Sequence, residues 1–267
     1  MQKKSTVYDA HFHIIDNQFP LVANHGYTPE PYTVEQYLER MSNYDLMGGT
    51  LVSGSFQPDY AFMEHTLKKL GDGFVGVIQA DQQMSDEQIV SLAQAGVRGI
   101  RFNIKRTGAG VLEYLPTLAH RVFDIANWHT ELYIDSKDLP ELTTVIADLP
   151  CAVIDHLGLS EAGFKYITHL IEQGVYVKAT GFGRLDFSAK AAIINLYSIN
   201  PKGLIFGTDL PSTRAPTAYC DQDCALIVDA LGEAHANDVL YANALELYRI
   251  DHLQKHQGAK QKMRFFS

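Results

Sequence analysis

Eight short runs rich in β-branched and aromatic residues repeat along the chain, each separated from the next by a longer amphipathic stretch. They read "VYDAHFHI", "GTLVSGSF", "FVGVIQAD", "GIRFNI", "ELYIDS", "AVIDHLG", "VYVKATGF" and "LIFGTDLP". Between them stand helical patterns such as "TVEQYLERMSNYDLMG", "DEQIVSLAQAG", "LPTLAHRVFDIANWH", "DLPELTTVIADLP" and "FKYITHLIEQG". Strands separated by helices run parallel, because each crossover returns the chain to the same end. Eight such units predict an α/β chain folded as a (β/α)8 TIM barrel, an eight-stranded parallel barrel with outer helices. A doubly wound open sheet is the alternative, but the Gly-rich phosphate turn it would carry after its first strand is not present. Gly71, Gly96 and Gly174 stand where helix C-termini favour a left-handed residue, and Ser85 followed by Glu87 and Gln88 predicts a capping box.

The length of 267 residues suits one such barrel, and no linker or low-complexity run interrupts it, so residues 1–267 are expected to form a single domain. Lys and Arg number 22 against 31 Asp and Glu, a formal charge of −9 that argues against nucleic acid or an anionic membrane as partner. No apolar run follows the first lysines, and no stretch approaches the roughly 20 apolar residues of a membrane span. Cys151, Cys220 and Cys224 make an odd set without a CxxC pair, which predicts no disulfide framework and a cytoplasmic setting. The tail "HQGAKQKMRFFS" is basic and apolar and is expected to pack on a neighbour or fray; oligomerisation stays open.

The active site of a (β/α)8 barrel lies at the C-terminal ends of its strands. There the first run carries His11 and His13, which alternation places on one side of the strand, with Ala10 and Phe12 on the other. The fourth carries Arg101 and Asn103, followed by Lys105 and Arg106; the fifth offers Tyr133 and Asp135. Asp155 and His156 end the sixth, Lys178 and Arg184 belong to the seventh, and Asp209 ends the eighth. Singly, each has an ordinary structural reading: a core histidine bonded to a carbonyl, a helix-capping aspartate, an arginine ion-paired inside the barrel. Six strands delivering ionisable groups to one end favour a site. A carboxylate beside histidines can take a proton from water while the histidines stabilise an oxyanion, and arginines dock carboxylates in a bidentate fashion. "VSGSF" lacks the GxSxG spacing, so direct attack by water is favoured over an acyl-enzyme.

Taken in order, "DAHFH", "GVRGIRFN", "VIDHLG" and "FGTDLP" resemble the amidohydrolase superfamily, and within it the lactonase branch that includes 2-pyrone-4,6-dicarboxylate hydrolase. The resemblance runs from about Tyr8 to the "YANALELYRI" segment. It implies a hydrolase opening a small carboxylated or sugar-acid lactone, with Asp209 as general base and His11, His13 and His156 polarising the carbonyl. It further implies substrate-binding roles for Tyr27, Arg101, Arg106, Tyr133 and Arg184, and a small acidic molecule as partner. One departure stands out: where the pyrone-dicarboxylate enzymes tend to carry an arginine after the "DHxG" segment, this chain has Leu159.

His11, His13 and Asp209 could also hold a single zinc with water as fourth ligand. Arg101 near that centre would repel it, and the resembling hydrolases imply catalysis without a metal or other cofactor. A metal-dependent decarboxylase or amidohydrolase of the same superfamily and a non-catalytic sensor of small acids remain as alternatives. The loop "DNQFPLVANHGYTPEPY" is expected to overhang the site, with His25 on its surface.

Overall fold

A computed structural model describes residues 4–23 and 26–250 of the chain. His25 and the basic tail singled out above lie outside the described residues.

All eight expected strands form: β1 (Thr6–Phe12), β2 (Asp45–Val52), β3 (Phe74–Gln79), β4 (Val97–Phe102), β5 (His129–Leu132), β6 (Ala152–Ile154), β7 (Tyr176–Ala179) and β8 (Leu204–Phe206). They lie in one sheet in the order β1 to β8, every neighbouring pair parallel. The seam between β8 and β1 closes beyond the strand ends. Asp209 N–H donates to the His11 carbonyl at 2.7 Å, and His13 N–H donates to the Leu210 carbonyl at 2.7 Å. The fold is a (β/α)8 barrel, and its closing bonds tie three of the expected site residues to one another. Gly207 makes that seam sterically feasible, since a Cβ there would lie 2.7 Å from the His11 nitrogen.

Helices Val34–Met41, Asp86–Gln94, Leu115–Ala126, Phe164–Glu172 and Ala189–Ile199 cover the outside. The capping box at Ser85 forms as the sequence predicts, with Ser85 N–H donating to Gln88 Oε1 at 2.8 Å and Gln88 N–H to Ser85 Oγ at 3.2 Å. Two helical expectations contract. "TVEQYLERMSNYDLMG" stops being helix at Met41, because Asp45 and Leu46 pair with Thr6 and Val7 and begin β2. "DLPELTTVIADLP" keeps only Thr143–Ala147 as α-helix. In both, tertiary packing overrides local propensity.

The barrel's lower interior is apolar. Tyr8, Ala10, Val75, Val153 and Ile205 cluster there with Leu245 and Tyr248, which plug the bottom; Tyr8 and Tyr248 stack at 5.7 Å. The larger aliphatic side chains among them, Val75, Val153, Ile205 and Leu245, each contribute about 1.5–3 kcal/mol by burial. The strict alternation expected along β1 fails at one point. Its register slips between Asp9 and Phe12, so Ala10 joins the interior cluster whereas Phe12 faces outward and stacks on Tyr37 at 3.9 Å. The slip lets the strand change from an apolar inner surface to the inward-facing His11 and His13. Among the described residues no helix is long and apolar enough to cross a membrane.

Candidate active site

The polar groups concentrate above that apolar floor, at the C-terminal mouth. An open cleft is lined there by His13, Arg101, His156 and Asp209, with Tyr27, Arg106, Tyr133 and Arg184 around them. His11 does not line the cleft. It lies fully buried beside it, its ring 5.1 Å from that of His13 and 4.9 Å from that of His156. The nine side chains to which the resemblance gave catalytic or binding roles are thereby brought together.

Asp209 is the hub. Arg184 holds Oδ2 alone, with Nε and Nη2 each at 2.7 Å, and its Nη2 also donates to the Thr213 carbonyl at 2.9 Å. Oδ1 is left facing His11 Nε2 at 3.9 Å and His13 Nε2 at 3.8 Å, buried and without a hydrogen-bond partner. Burial raises the Asp209 carboxyl above its ordinary value; Arg184 and His11 oppose that rise without cancelling it. Both Asp209 and His156 have left-handed backbone, φ 62° and 52°, which side-chain-bearing residues seldom adopt and which costs on the order of 1–2 kcal/mol each. His156 is accommodated against Gly181, where a Cβ would come within 2.5 Å of its Nδ1.

The histidines are neutral. Burial lowers His11, His13 and His156, and neighbouring cations and histidines lower them further. Their tautomers follow from their partners. His13 Nδ1 lies 2.7 Å from the Val52 carbonyl, which can only accept, so the proton is on Nδ1 and Nε2 presents a lone pair toward Asp209.

Against the floor of the cleft runs a buried ionic layer. Arg101 Nε donates to Asp155 Oδ2 at 2.8 Å, and Asp155 Oδ1 lies 3.4 Å from His11 Nδ1. Burial pushes the Asp155 carboxyl up, but Arg101, His11 and Lys178 outweigh it and hold it well below the usual carboxylate range. Lys105 and Asp135, also read as strand-end candidates, instead pair with each other at 2.6 Å and do not line the cleft.

Four arginines surround the cleft, including Arg214, which the sequence reading did not select. Arg214 lies 4.2 Å over the Tyr27 ring, and Arg106 lies 5.8 Å over Tyr133, whose ring also takes Arg101 at 4.9 Å. Burial and then the nearby Arg214, Arg184 and Arg101 lower the Arg106 guanidinium, against a raising effect of Tyr133. Among the described residues Arg106 has no carboxylate partner. The signal for Arg214 was its position, five residues after Asp209 in the loop that follows β8.

The family model named amidohydrolase matches residues 8–250. The chain belongs to the amidohydrolase family. Within it, the chain is 30% identical over 160 residues to a 2-pyrone-4,6-dicarboxylate hydrolase of Comamonas testosteroni, a match spanning 56% of this chain and 51% of that relative. It is 25% identical over 224 residues to a 4-sulfomuconolactone hydrolase of Rhizobium radiobacter, covering 76% and 75% of the two. In three dimensions this amidohydrolase resembles a protein of Acinetobacter baumannii described as a probable 2-pyrone-4,6-dicarboxylic acid hydrolase, solved with citric acid bound. There the TM-score is 0.79 at 22% identity, covering 91% and 99% of the chains. That likeness carries the fold.

His11, His13 and Asp209 place three possible ligand atoms within 4.8 Å of one another, as do His11, Asp155 and His156. The number of donors matches a zinc site, but the charge around them does not. Lys178 Nζ stands 3.2 Å from His11 Nδ1, Arg184 neutralises Asp209, and Arg101 neutralises Asp155. A divalent ion added to carboxylates already paired with buried cations would be an uncompensated charge in a low-dielectric site. The donor set fits such an ion poorly.

Proposed function

We propose that this amidohydrolase opens a small anionic lactone, carboxylated or sugar-acid, by direct attack of water and without a metal. The observation that carries the reading is Asp209: a buried carboxylate with one oxygen locked by Arg184 and the other aimed, unpartnered, at two neutral histidines beside an arginine-lined cleft. The relatives named as hydrolases of a pyrone dicarboxylate and a sulfonated muconolactone act on anionic lactones, and the citric acid held by the A. baumannii protein is a polycarboxylate.

In this reading, water sits between Asp209 Oδ1 and the lactone carbonyl. Asp209 takes its proton as the new C–O bond forms, and the lone pair of His13 Nε2 helps orient the water. His13 thus serves the nucleophile; with its one proton committed to Val52 it cannot donate to the carbonyl, the role the resemblance had implied. The oxyanion is stabilised by His156, which lines the cleft, whereas His11, buried beside it, faces Asp209 Oδ1 and does not meet the carbonyl as the resemblance had implied. Collapse breaks the ring C–O bond, and the departing oxygen recovers the proton from Asp209. The product is a ring-opened acid that ionises and releases a proton to solvent.

Arg101 and Arg184 spend their shortest bonds on Asp155 and Asp209, so Arg106, stacked on Tyr133, is the side chain best placed to meet a substrate anion, with Arg214, over the Tyr27 ring, near it. Arg106→Ala is expected to raise KM for an anionic lactone roughly tenfold, the loss of about 1.4 kcal/mol of charge-assisted bonding, with kcat changed much less. An uncharged lactone of the same ring should show no such change, and an equal rise for both substrates would remove Arg106 from anion recognition. The reading as a whole is tested by a pH-indicator assay over carboxylated and sugar lactones with chelator present. Turnover that survives chelation supports it. Bound stoichiometric zinc with carbon dioxide release would replace it by a metal-dependent decarboxylase, and binding without turnover by a sensor.

A further inference from the structure

Lys178 lies on β7, completely buried, and has no part in the chemistry above. Its neighbours Val177 and Ala179 belong to the layer between sheet and helices, so Lys178 points into the barrel, directly under the site. Its ammonium lies 2.5 Å from Glu131 Oε1, which in turn is 3.0 Å from His129 Nε2. Such a buried pair costs desolvation, and apolar pairs of similar volume often replace one without loss of stability, so the pair is weak evidence of a purely stabilising role. What the ammonium touches on its upper side is His11 Nδ1, at 3.2 Å.

We propose that Lys178 is a positioning residue that fixes His11 as the tautomer with its proton on Nε2, and thereby aims an N–H, not a lone pair, at the catalytic carboxylate of Asp209. Two arrangements compete. In one, His11 Nδ1–H donates to Asp155 Oδ1 at 3.4 Å, leaving a lone pair on Nε2. Nε2 would then be a third acceptor beside His13 Nε2 and Asp209 Oδ1, and the Nδ1–H would point at an ammonium that has only donors. In the other, Lys178 donates to Nδ1 and the proton stands on Nε2, which faces Asp209 Oδ1 at 3.9 Å and complements it. The second has the shorter contact and aims a donor rather than a lone pair at Asp209 Oδ1, while Asp155 Oδ1 keeps Lys178 Nζ at 3.7 Å. Glu131 holds the lysine in place, its Oε1 2.5 Å from the ammonium. It is pulled below its ordinary value chiefly by Lys178, against the effect of burial. The catalytic consequence rests on the lactone-hydrolase reading, whereas the tautomer does not.

The test uses the full chain labelled with 15N-histidine. Two-bond 1H–15N correlations report which ring nitrogen carries the proton, and the His11 signal is assigned by its loss in His11→Gln. The parent protein is expected to show His11 protonated at Nε2. Lys178→Met is expected to move that proton to Nδ1, lower kcat about a hundredfold and leave KM within about threefold, as for a disturbed general base. Should this variant fail to fold with Glu131 left unpaired, Lys178→Met/Glu131→Leu removes the pair together and must show the same change of tautomer. A parent protein with its His11 proton on Nδ1 overturns the proposal, as does a folded Lys178 variant that keeps it on Nε2. Absence of lactone turnover with the Nε2 tautomer intact would count against the hydrolase reading alone.

Discussion

Asp209→Asn is expected to lower kcat by about a thousandfold, within the 10² to 10⁴ that general-base catalysis contributes. The amide has the shape of the carboxylate but no basic lone pair with which to take a proton from water. Uniform binding of substrate should persist, because the arginines around the cleft remain, so KM should move little. The pH dependence gives a second readout. Burial raises Asp209 above the ordinary 3.8 of an aspartate, so the ionised base is lost as pH falls through that raised value, and activity should fall with it on the acid side. The variant should lack this acid limb. Arg184 loses its anionic partner in the same substitution, so a thermal melt must accompany the kinetics, and kcat must be taken on protein shown to be folded. Turnover that remained near the parent level in folded Asp209→Asn would leave the base unassigned.

The sequence was explicit about the eight strands because each interior run is apolar, short and bounded by polar or glycine residues. The first half of β2 instead reads as the end of the helical stretch "TVEQYLERMSNYDLMG". Asp45, Leu46, Met47 and Gly48 contain no β-branched residue, and only pairing with β1 makes them strand. The site was legible in a similar way. A strand-end position tells that a side chain reaches the mouth, so His13, Arg101, His156 and Asp209 could be gathered from sequence alone. It does not tell which neighbour each one meets. Arg184 reads equally well as a clamp for substrate or as a partner of Asp209, and the structure gives it the second contact. The register slip in β1 likewise has no local signature, since "YDAHFH" alternates well enough on paper. Lys178 was visible as a residue of the seventh run, but its bond to His11 joins positions 167 apart and no periodicity reports it.

Asp155 makes the buried layer testable as a matter of stability. Its carboxylate is 0% exposed and balances Arg101 Nε at 2.8 Å, with Lys178 Nζ at 3.7 Å. Asp155→Asn keeps the volume and removes the charge, which leaves two buried cations with one fewer anion between them. Breaking a buried pair from one side costs about 3–5 kcal/mol, so the melting temperature should fall on the order of 10 °C at neutral pH. Linkage fixes how that deficit varies with pH. The folded Asp155 carboxyl lies well below the ordinary 3.8, so its stabilising effect is complete above that value and is lost as pH falls through the depressed one. The gap between parent and variant should therefore be constant from neutral pH down to the ordinary aspartate range and narrow below it, as the parent loses the advantage that the variant never had. A gap that widened on acidification would mean that Asp155 is protonated in the folded protein. Arg101 would then be held by something else, and the charge balance that argues against a divalent ion at His11, His13 and Asp209 would have to be drawn again.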